Sequence, residues 1–149
     1  FYRELFRSRT IAVTRYPDGA PRAGLTTILF LLKRGQISRW HRVASDESWH
    51  FHAGSALELL TIEMPVGLAP DVRIERQRIE TRRLATLAPV LTVAAGSWQA
   101  AVSRGAYTLV SCSVGPGFEF EDFRMLDGVA DNERPHVAPE FTLTYERFK

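Results

Sequence analysis

The possible folds of this chain are limited most by a series of short strand-like segments, each of which ends at turn residues. Leu25 to Leu32 is a nearly continuous apolar run that ends at Lys33-Arg34-Gly35, which indicates a buried strand because the run is short and bounded by turn residues. The alternation over Val72 to Ile79 and over Phe118 to Glu121 predicts further strands. Many short strands separated by turns are typical of a sandwich or barrel, so the sequence predicts an all-β fold.

The length and the net charge of the chain limit its number of domains and its classes of binding partner. The chain has 149 residues, which suits one domain with a core that needs no metal or disulfide. Its formal charge is only +2, and its basic residues alternate with acids rather than forming the one-signed stripe of a nucleic-acid surface. We therefore expect no nucleic-acid partner.

The single cysteine and the hydropathy pattern suggest a compartment. Cys112 lies in an apolar run and has no second cysteine to pair with, so we interpret it as a small buried hydrophobe rather than a catalytic thiol. No stretch reaches the roughly 18 apolar residues of a membrane span, and no signal peptide is visible. The expectation is a cytoplasmic protein with no membrane partner.

Polar residues at fixed spacing carry the candidate chemistry. Glu47 follows His41 at a distance of six residues, Gly54 follows Glu47, and Gly96 later precedes Gln99. A histidine and a buried glutamate are natural proton-transfer groups near neutral pH, and both can bind metal. The alternative is a polar pair that only orients a ligand or satisfies the core.

These residues resemble the two motifs of the cupin superfamily. The first motif reads His-x-His, three or four residues, Glu, six residues, Gly, and the second reads Pro-x-Gly-x-x-His. The strings Ser45-Asp46-Glu47-Ser48-Trp49-His50 and Pro116-Gly117-Phe118-Glu119-Phe120-Glu121-Asp122-Phe123 are similar to a family of single-domain cupins mostly without assigned function. The resemblance implies an all-β cupin (jelly-roll) barrel, similar in shape to the sugar-nucleotide epimerases of the superfamily and usually a homodimer.

The resemblance also divides the chain, because it ends near Met125. We expect a barrel at residues 1–126 and a C-terminal tail at residues 127–149, which packs on the barrel or on a dimer partner. Phe141 to Phe148 within the tail is either a last strand or a short helix.

The motif positions depart from the metal-binding pattern. Val43 stands in place of the second histidine, and Gln99 stands in place of the histidine of the second motif. Zinc and iron sites usually take three or more protein ligands, so we expect no cofactor. If iron, zinc, nickel or manganese were bound, the ligands would be His41, Glu47 and Gln99. His50 and His52 alternate away from Glu47 and are expected on the strand surface or in a dimer interface.

Three hypotheses follow for function. The leading one is an enzyme of small molecules, of the isomerase, epimerase, dehydratase or cyclase type and suited to secondary metabolism, with His41 as base and Glu47 as its partner or the acid. The others are a metabolite-binding protein without turnover and a metal-dependent oxygenase or lyase with an incomplete ligand set. The residues expected to bind the ligand are Gln99, Trp49, Phe51, Phe120 and Thr27.

Overall fold

The computed structural model describes the backbone of residues 4–9 and 13–15 and all atoms of residues 21–64 and 76–149. The strands are β1 (Glu4–Arg9), β2 (Val13–Arg15), β3 (Pro21–Ala23), β4 (Thr26–Lys33), β5 (Ile37–Val43), β6 (Asp46–Gly54), β7 (Leu57–Ile62), β8 (Glu80–Leu84), β9 (Val90–Val93), β10 (Trp98–Ser103), β11 (Tyr107–Gly115) and β12 (Phe123–Met125). A short helix, α1 (Thr142–Arg147), lies near the end of the chain. None of the helices in the described ranges has the length and apolar character that crossing a bilayer requires.

The strands form two five-stranded antiparallel sheets. The first has the order β1-β4-β11-β6-β9, the second has the order β12-β5-β10-β7-β8, and β2 and β3 pair separately. From β4 to β7 and again from β9 to β12 the chain passes from one sheet to the other at each step. This winding is that of a jelly roll, and the predicted all-β barrel is confirmed.

Strand alternation places an apolar core at one end of the barrel and an open cavity at the other. On β4, Phe30 and Leu32 turn inward and are buried in the core, whereas Thr26 and Ile28, on the same face, line the cavity. Because side chains two residues apart share a face of a strand, one continuous inward face of β4 serves both regions.

The tail packs against the outer face of the second sheet. Trp40 on β5 donates its indole N–H to the backbone carbonyl of Tyr145 at 3.0 Å, and its backbone N–H bonds the carbonyl of Phe148 at 2.9 Å. Both tail side chains are buried beside Trp98. The segment Phe141 to Phe148 therefore resolves into a turn and the helix α1, and it shields the central strand β10 from water.

Two segments that the sequence predicts to be strands have a different conformation in the structure. The one over Val72 to Ile79 lies partly outside the described residues; in the described part, Arg76 has a φ of 56°, which breaks an extended chain. Gln77 then makes a single bridge to Val137 of the tail, and β8 begins only at Glu80.

The alternating segment Phe118 to Glu121 is not a strand either. A 3₁₀ turn spans Phe120–Asp122, closed by a hydrogen bond from the Asp122 N–H to the Glu119 carbonyl at 3.1 Å. The Asp122 carboxylate accepts two hydrogen bonds from Arg22, at 2.7 and 2.9 Å. The turn forms despite the alternating pattern, because the two charged hydrogen bonds from Arg22 hold Asp122 in place.

Candidate active site

A cavity of about 390 Å³ opens between the two sheets. Both sheets and the turn before β12 contribute to its wall, whose lining residues are Thr26, Ile28, His41, Val43, Glu47, Cys112, Val114, Phe118, Phe120, Phe123 and Met125. Its size is within the range of small-molecule pockets, and a mostly apolar wall with a few polar groups is typical of them.

Glu47 is the acidic group of the wall, and a chain of hydrogen bonds fixes its position. The side-chain N–H of Gln99 donates to the Glu47 carboxylate, and the indole N–H of Trp49 donates to the Gln99 carbonyl oxygen at 2.9 Å. Because an indole N–H can only donate, Trp49 sets the orientation of the Gln99 amide. That orientation aims the amide N–H at the carboxylate.

The pKa of Glu47 is shifted toward neutrality. Burial raises this pKa from 4.5 to about 7, although the hydrogen bonds from Gln99 and Cys112 act in the opposite direction. A buried carboxyl loses the hydration of its charged form, which favours the protonated form. Glu47 can therefore both give and accept a proton near neutral pH.

Cys112 is a polar neighbour of Glu47 that the sequence did not reveal. It lies opposite Trp49 in the β11–β6 pairing, is buried, and shares a side-chain hydrogen bond with Glu47. Burial raises the pKa of the Cys112 thiol well above its ordinary value, and the Glu47 charge and hydrogen bond raise it further. The group is therefore a protonated thiol that donates to the carboxylate. The inward alternation of Val110, Cys112 and Val114 was the available signal.

His41 faces the same cavity from the other sheet. It is only 3% exposed, and its Nδ1–H donates to the backbone carbonyl of Arg39 at 2.7 Å. This bond places the proton on Nδ1 and the lone pair of the neutral ring on Nε2. Burial lowers the pKa of His41 to about 4, while the bond to Arg39 acts to raise it. The ring is therefore neutral at physiological pH.

Three phenylalanines form the mouth of the cavity. Phe118 packs edge-to-face against Phe120 and Phe123, with ring centroids 5.3 and 5.8 Å apart. Phe123 also packs against the His41 ring, with centroids 5.4 Å apart. The backbone N–H of Phe118 bonds the Thr26 hydroxyl at 2.9 Å, so the mouth is fixed to β4.

The comparisons with known proteins agree with this architecture. The chain matches the family described as Cupin superfamily (DUF985) over residues 1–126. The chain belongs to this family. No curated protein matches the chain.

Solved structures extend the likeness. A protein of Shewanella oneidensis is 27% identical, with a TM-score of 0.70 over 99% of this chain and 85% of that one. A hypothetical protein from Leishmania major is 29% identical, with a TM-score of 0.65 over 83% of this chain and 75% of that one. The L-ribose isomerase of Cellulomonas parahominis, solved with L-ribose, is 12% identical, with a TM-score of 0.55 over 76% of this chain and 63% of that one. This last likeness concerns the fold alone.

Among the residues expected to bind a ligand, Phe120 alone lines the cavity. Gln99 and Trp49 are buried behind Glu47 and hold it. Phe51 packs against the inner core. Thr27 lies on the opposite face of β4 from the cavity-lining Thr26 and shares a hydrogen bond with Ser113 at 3.0 Å. The pleat of the strand accounts for this last difference, because neighbouring residues point to opposite faces.

The cupin metal positions do not form a fitting donor set here. Val43 presents an apolar side chain to the cavity, and both ends of the Gln99 amide are engaged by Trp49 and Glu47. In the described ranges, 21–64 and 76–149, no group of three or more His, Cys, Asp or Glu side chains is arranged to hold a metal ion. His52 shares a hydrogen bond with Ser111 at 2.9 Å. These residues therefore do not fit a transition metal, which usually takes three protein ligands.

Proposed function

We propose that this cupin is an enzyme that catalyses metal-independent acid/base chemistry on a small molecule inside the barrel. The observation that carries the proposal is that Glu47 and His41 line the same cavity from two different sheets. With pKa values of about 7 and about 4, Glu47 can hold a proton at neutral pH while His41 stays unprotonated. One group is then ready to give a proton and the other to take one.

The two groups suffice for an isomerisation or epimerisation. His41 Nε2 takes a proton from the carbon beside a substrate carbonyl, and the Glu47 carboxyl gives its proton to the carbonyl oxygen, so a C–H bond breaks and the enol forms. For an epimerisation, Glu47 then recovers the proton from the enol oxygen, and His41 returns its own to the other face of the same carbon. For an isomerisation the substrate is a hydroxyketone or hydroxyaldehyde: His41 returns its proton to the former carbonyl carbon, and Glu47 takes the proton of the hydroxyl on the adjacent carbon, which becomes the new carbonyl. In a dehydration His41 takes the proton from carbon while Glu47 gives its proton to the departing hydroxyl, which leaves as water. In a cyclisation His41 takes the proton of an attacking hydroxyl while Glu47 protonates the carbonyl oxygen under attack. Gln99 assists these proton transfers because its hydrogen bond stabilises the charged form of Glu47.

A binding protein without turnover is the second candidate, because a largely apolar wall with few polar groups also suits a carrier or sensor. The two candidates predict different results in deuterium oxide. An acid/base enzyme exchanges the hydrogen beside the carbonyl of its substrate for deuterium, whereas a carrier binds without exchange.

The experiment incubates the purified protein in deuterium oxide with a panel of ketones, aldehydes and hydroxyketones, and follows deuterium incorporation by NMR. We expect catalysed exchange that falls roughly 100-fold or more in His41→Ala and in Glu47→Gln. The exposed His136 and Glu140 supply matched controls, His136→Ala and Glu140→Gln, that keep the exchange. Full activity in both cavity variants would contradict the assignment, and binding without exchange would favour the carrier.

We further propose that the protein is a homodimer, as the family resemblance implies, and that it acts in the cytoplasm in a biosynthetic reaction. Light scattering of the purified protein tests the dimer: a mass of one 16.8 kDa chain at micromolar concentration would contradict it. Elemental analysis tests the metal-free mechanism, which stoichiometric iron, zinc, nickel or manganese would overturn.

A further inference from the structure

The described part of the cavity wall is mostly apolar. Its apolar members are Ile28, Val43, Val114, Phe118, Phe120, Phe123 and Met125. Thr26, one of its polar members, already accepts a hydrogen bond from the Phe118 backbone. Among the residues whose side chains the structure describes, no lysine or arginine lines it. Among the described residues, the polar groups of the wall are thus Thr26, His41, Glu47 and Cys112.

The mouth carries an apolar surface that the folded chain leaves uncovered. Phe120 is 71% exposed although it lines the cavity, and large exposed hydrophobic side chains in a concave site are typical of ligand contacts. The position of Phe120 is fixed by its turn, because the Arg22–Asp122 ion pair is nearly buried, with the two side chains 13% and 11% exposed.

Gly117 holds the same turn close to β3 and β4. A Cβ at this position would lie 2.9 Å from the Ala23 Cβ and 3.0 Å from the Thr26 methyl, closer than side chains pack. The backbone N–H of Gly117 bonds the Ala23 carbonyl at 2.7 Å. The aromatic mouth is therefore a preformed surface, which lowers the entropic cost of covering it with a ligand.

We infer that the cavity takes an uncharged, largely hydrophobic molecule with one carbonyl or hydroxyl group, its polar end between His41 and Glu47 and its apolar body against Phe118, Phe120 and Phe123. The placement of the polar end rests on the proposed function, whereas the apolar body rests on the wall alone. A volume of about 390 Å³ equals that of about a dozen water molecules, so the ligand has on the order of a dozen non-hydrogen atoms.

Phosphorylated substrates and free sugars do not suit this wall. A phosphate needs Arg, Lys or backbone N–H donors, and a sugar hydroxyl buried without a partner loses its hydrogen bonds to water without replacement. A carboxylate would also meet the Glu47 carboxyl in the wall, and like charges placed close together repel each other. The described residues of the wall therefore favour an uncharged apolar ligand over a sugar or a sugar nucleotide.

Calorimetric titration with three probes tests the inference. The probes are 4-phenyl-2-butanone, an uncharged ketone; 3-phenylpropanoate, which has the same number of non-hydrogen atoms and a negative charge; and ribose 5-phosphate. We expect the ketone to bind at least about tenfold more tightly than the carboxylate, since one buried unpaired charge costs more than 1.4 kcal/mol. Ribose 5-phosphate is expected not to bind measurably.

Two matched variants locate the site. Phe120→Ala removes the exposed mouth ring and should weaken ketone binding roughly fivefold or more. Leu87→Ala removes a side chain that is 100% exposed outside the cavity and should change nothing. Both positions are exposed, so both variants are expected to fold.

The inference is overturned if either anion binds more tightly than the ketone, if the ketone does not bind, or if the two alanine variants bind it equally well. Its failure is distinguishable from that of the proposed function. Ketone binding without deuterium exchange on any compound would support the ligand class and contradict the enzyme. Exchange on ribose 5-phosphate, added to the same panel, would contradict the ligand class and support the enzyme.

Discussion

Replacing Glu47 with Gln should change how the stability of the protein depends on pH. The folded state keeps this carboxyl protonated up to a pKa of about 7, whereas its ordinary pKa is 4.5. Between these two values the folded state binds more protons than the unfolded state, so the contribution of Glu47 to stability falls as pH rises. A shift of this size corresponds to about 3 kcal/mol, since one pKa unit is worth about 1.4 kcal/mol.

His41 has the opposite effect over nearly the same range. Its pKa is lowered from 6.5 to about 4 in the folded state, so the unfolded state binds more protons between those values and stability falls as pH drops. In the wild type the two contributions nearly cancel from about pH 4.5 to 6.5. Neither contribution is therefore visible until one of the two groups is replaced.

The assay is urea denaturation at half-unit steps from pH 4 to 8, expressed as the variant's free energy of unfolding minus that of the wild type. For Glu47→Gln this difference should rise by about 3 kcal/mol between pH 4.5 and 7 and then level off. The exposed control Glu140→Gln should give a flat difference. A difference for Glu47→Gln that is flat or falls with pH would contradict the raised pKa of Glu47. Either result would mean that burial does not favour the protonated carboxyl.

Three further predictions concern single side chains. Gln99→Leu removes a donor to the carboxylate and should raise the pKa of Glu47 by about 1 unit or more, as measured by NMR titration; a lowered pKa would contradict the relay. Val43→His restores the second histidine of the first cupin motif, so elemental analysis after incubation with zinc or nickel should find metal in this variant; equal metal in the wild type would mean that Val43 does not prevent metal binding. Phe148→Ala should destabilise the fold by about 3–5 kcal/mol in urea denaturation, whereas Leu143→Ala, at an 88% exposed position of α1, should change stability by less than about 0.5 kcal/mol; equal effects would mean that the tail does not stabilise the barrel.

The features that could be predicted from the sequence are those that depend on neighbouring residues. The apolar run from Leu25 to Leu32 contains most of β4, because a short run bounded by turn residues has few other solutions. The resemblance of His41 and Glu47 to the first cupin motif implies two groups inside the barrel, and both line the cavity. Local pattern and motif were therefore sufficient for the fold and for two positions of the site.

The remaining features depend on contacts between residues far apart in the chain. Gln99 reaches Glu47 from a different sheet, 52 residues away, so its place behind the carboxyl could not be derived from strand alternation. The turn at Phe120–Asp122 depends on Arg22, 100 residues away, whereas its alternating residues by themselves suggested a strand. Cys112 resembled any other buried apolar position until its pairing partner was known.

The assignment of Glu47 as the acid requires that its carboxyl titrate near neutral pH inside the cavity. An NMR titration of protein labelled with ¹³C at the glutamate carboxyl carbons measures this directly, with the Glu47 signal assigned by its absence in Glu47→Gln. We expect a midpoint at about pH 7. A midpoint at or below the ordinary value of 4.5 would mean that the carboxyl is fully charged at neutral pH, and would contradict its assignment as the acid.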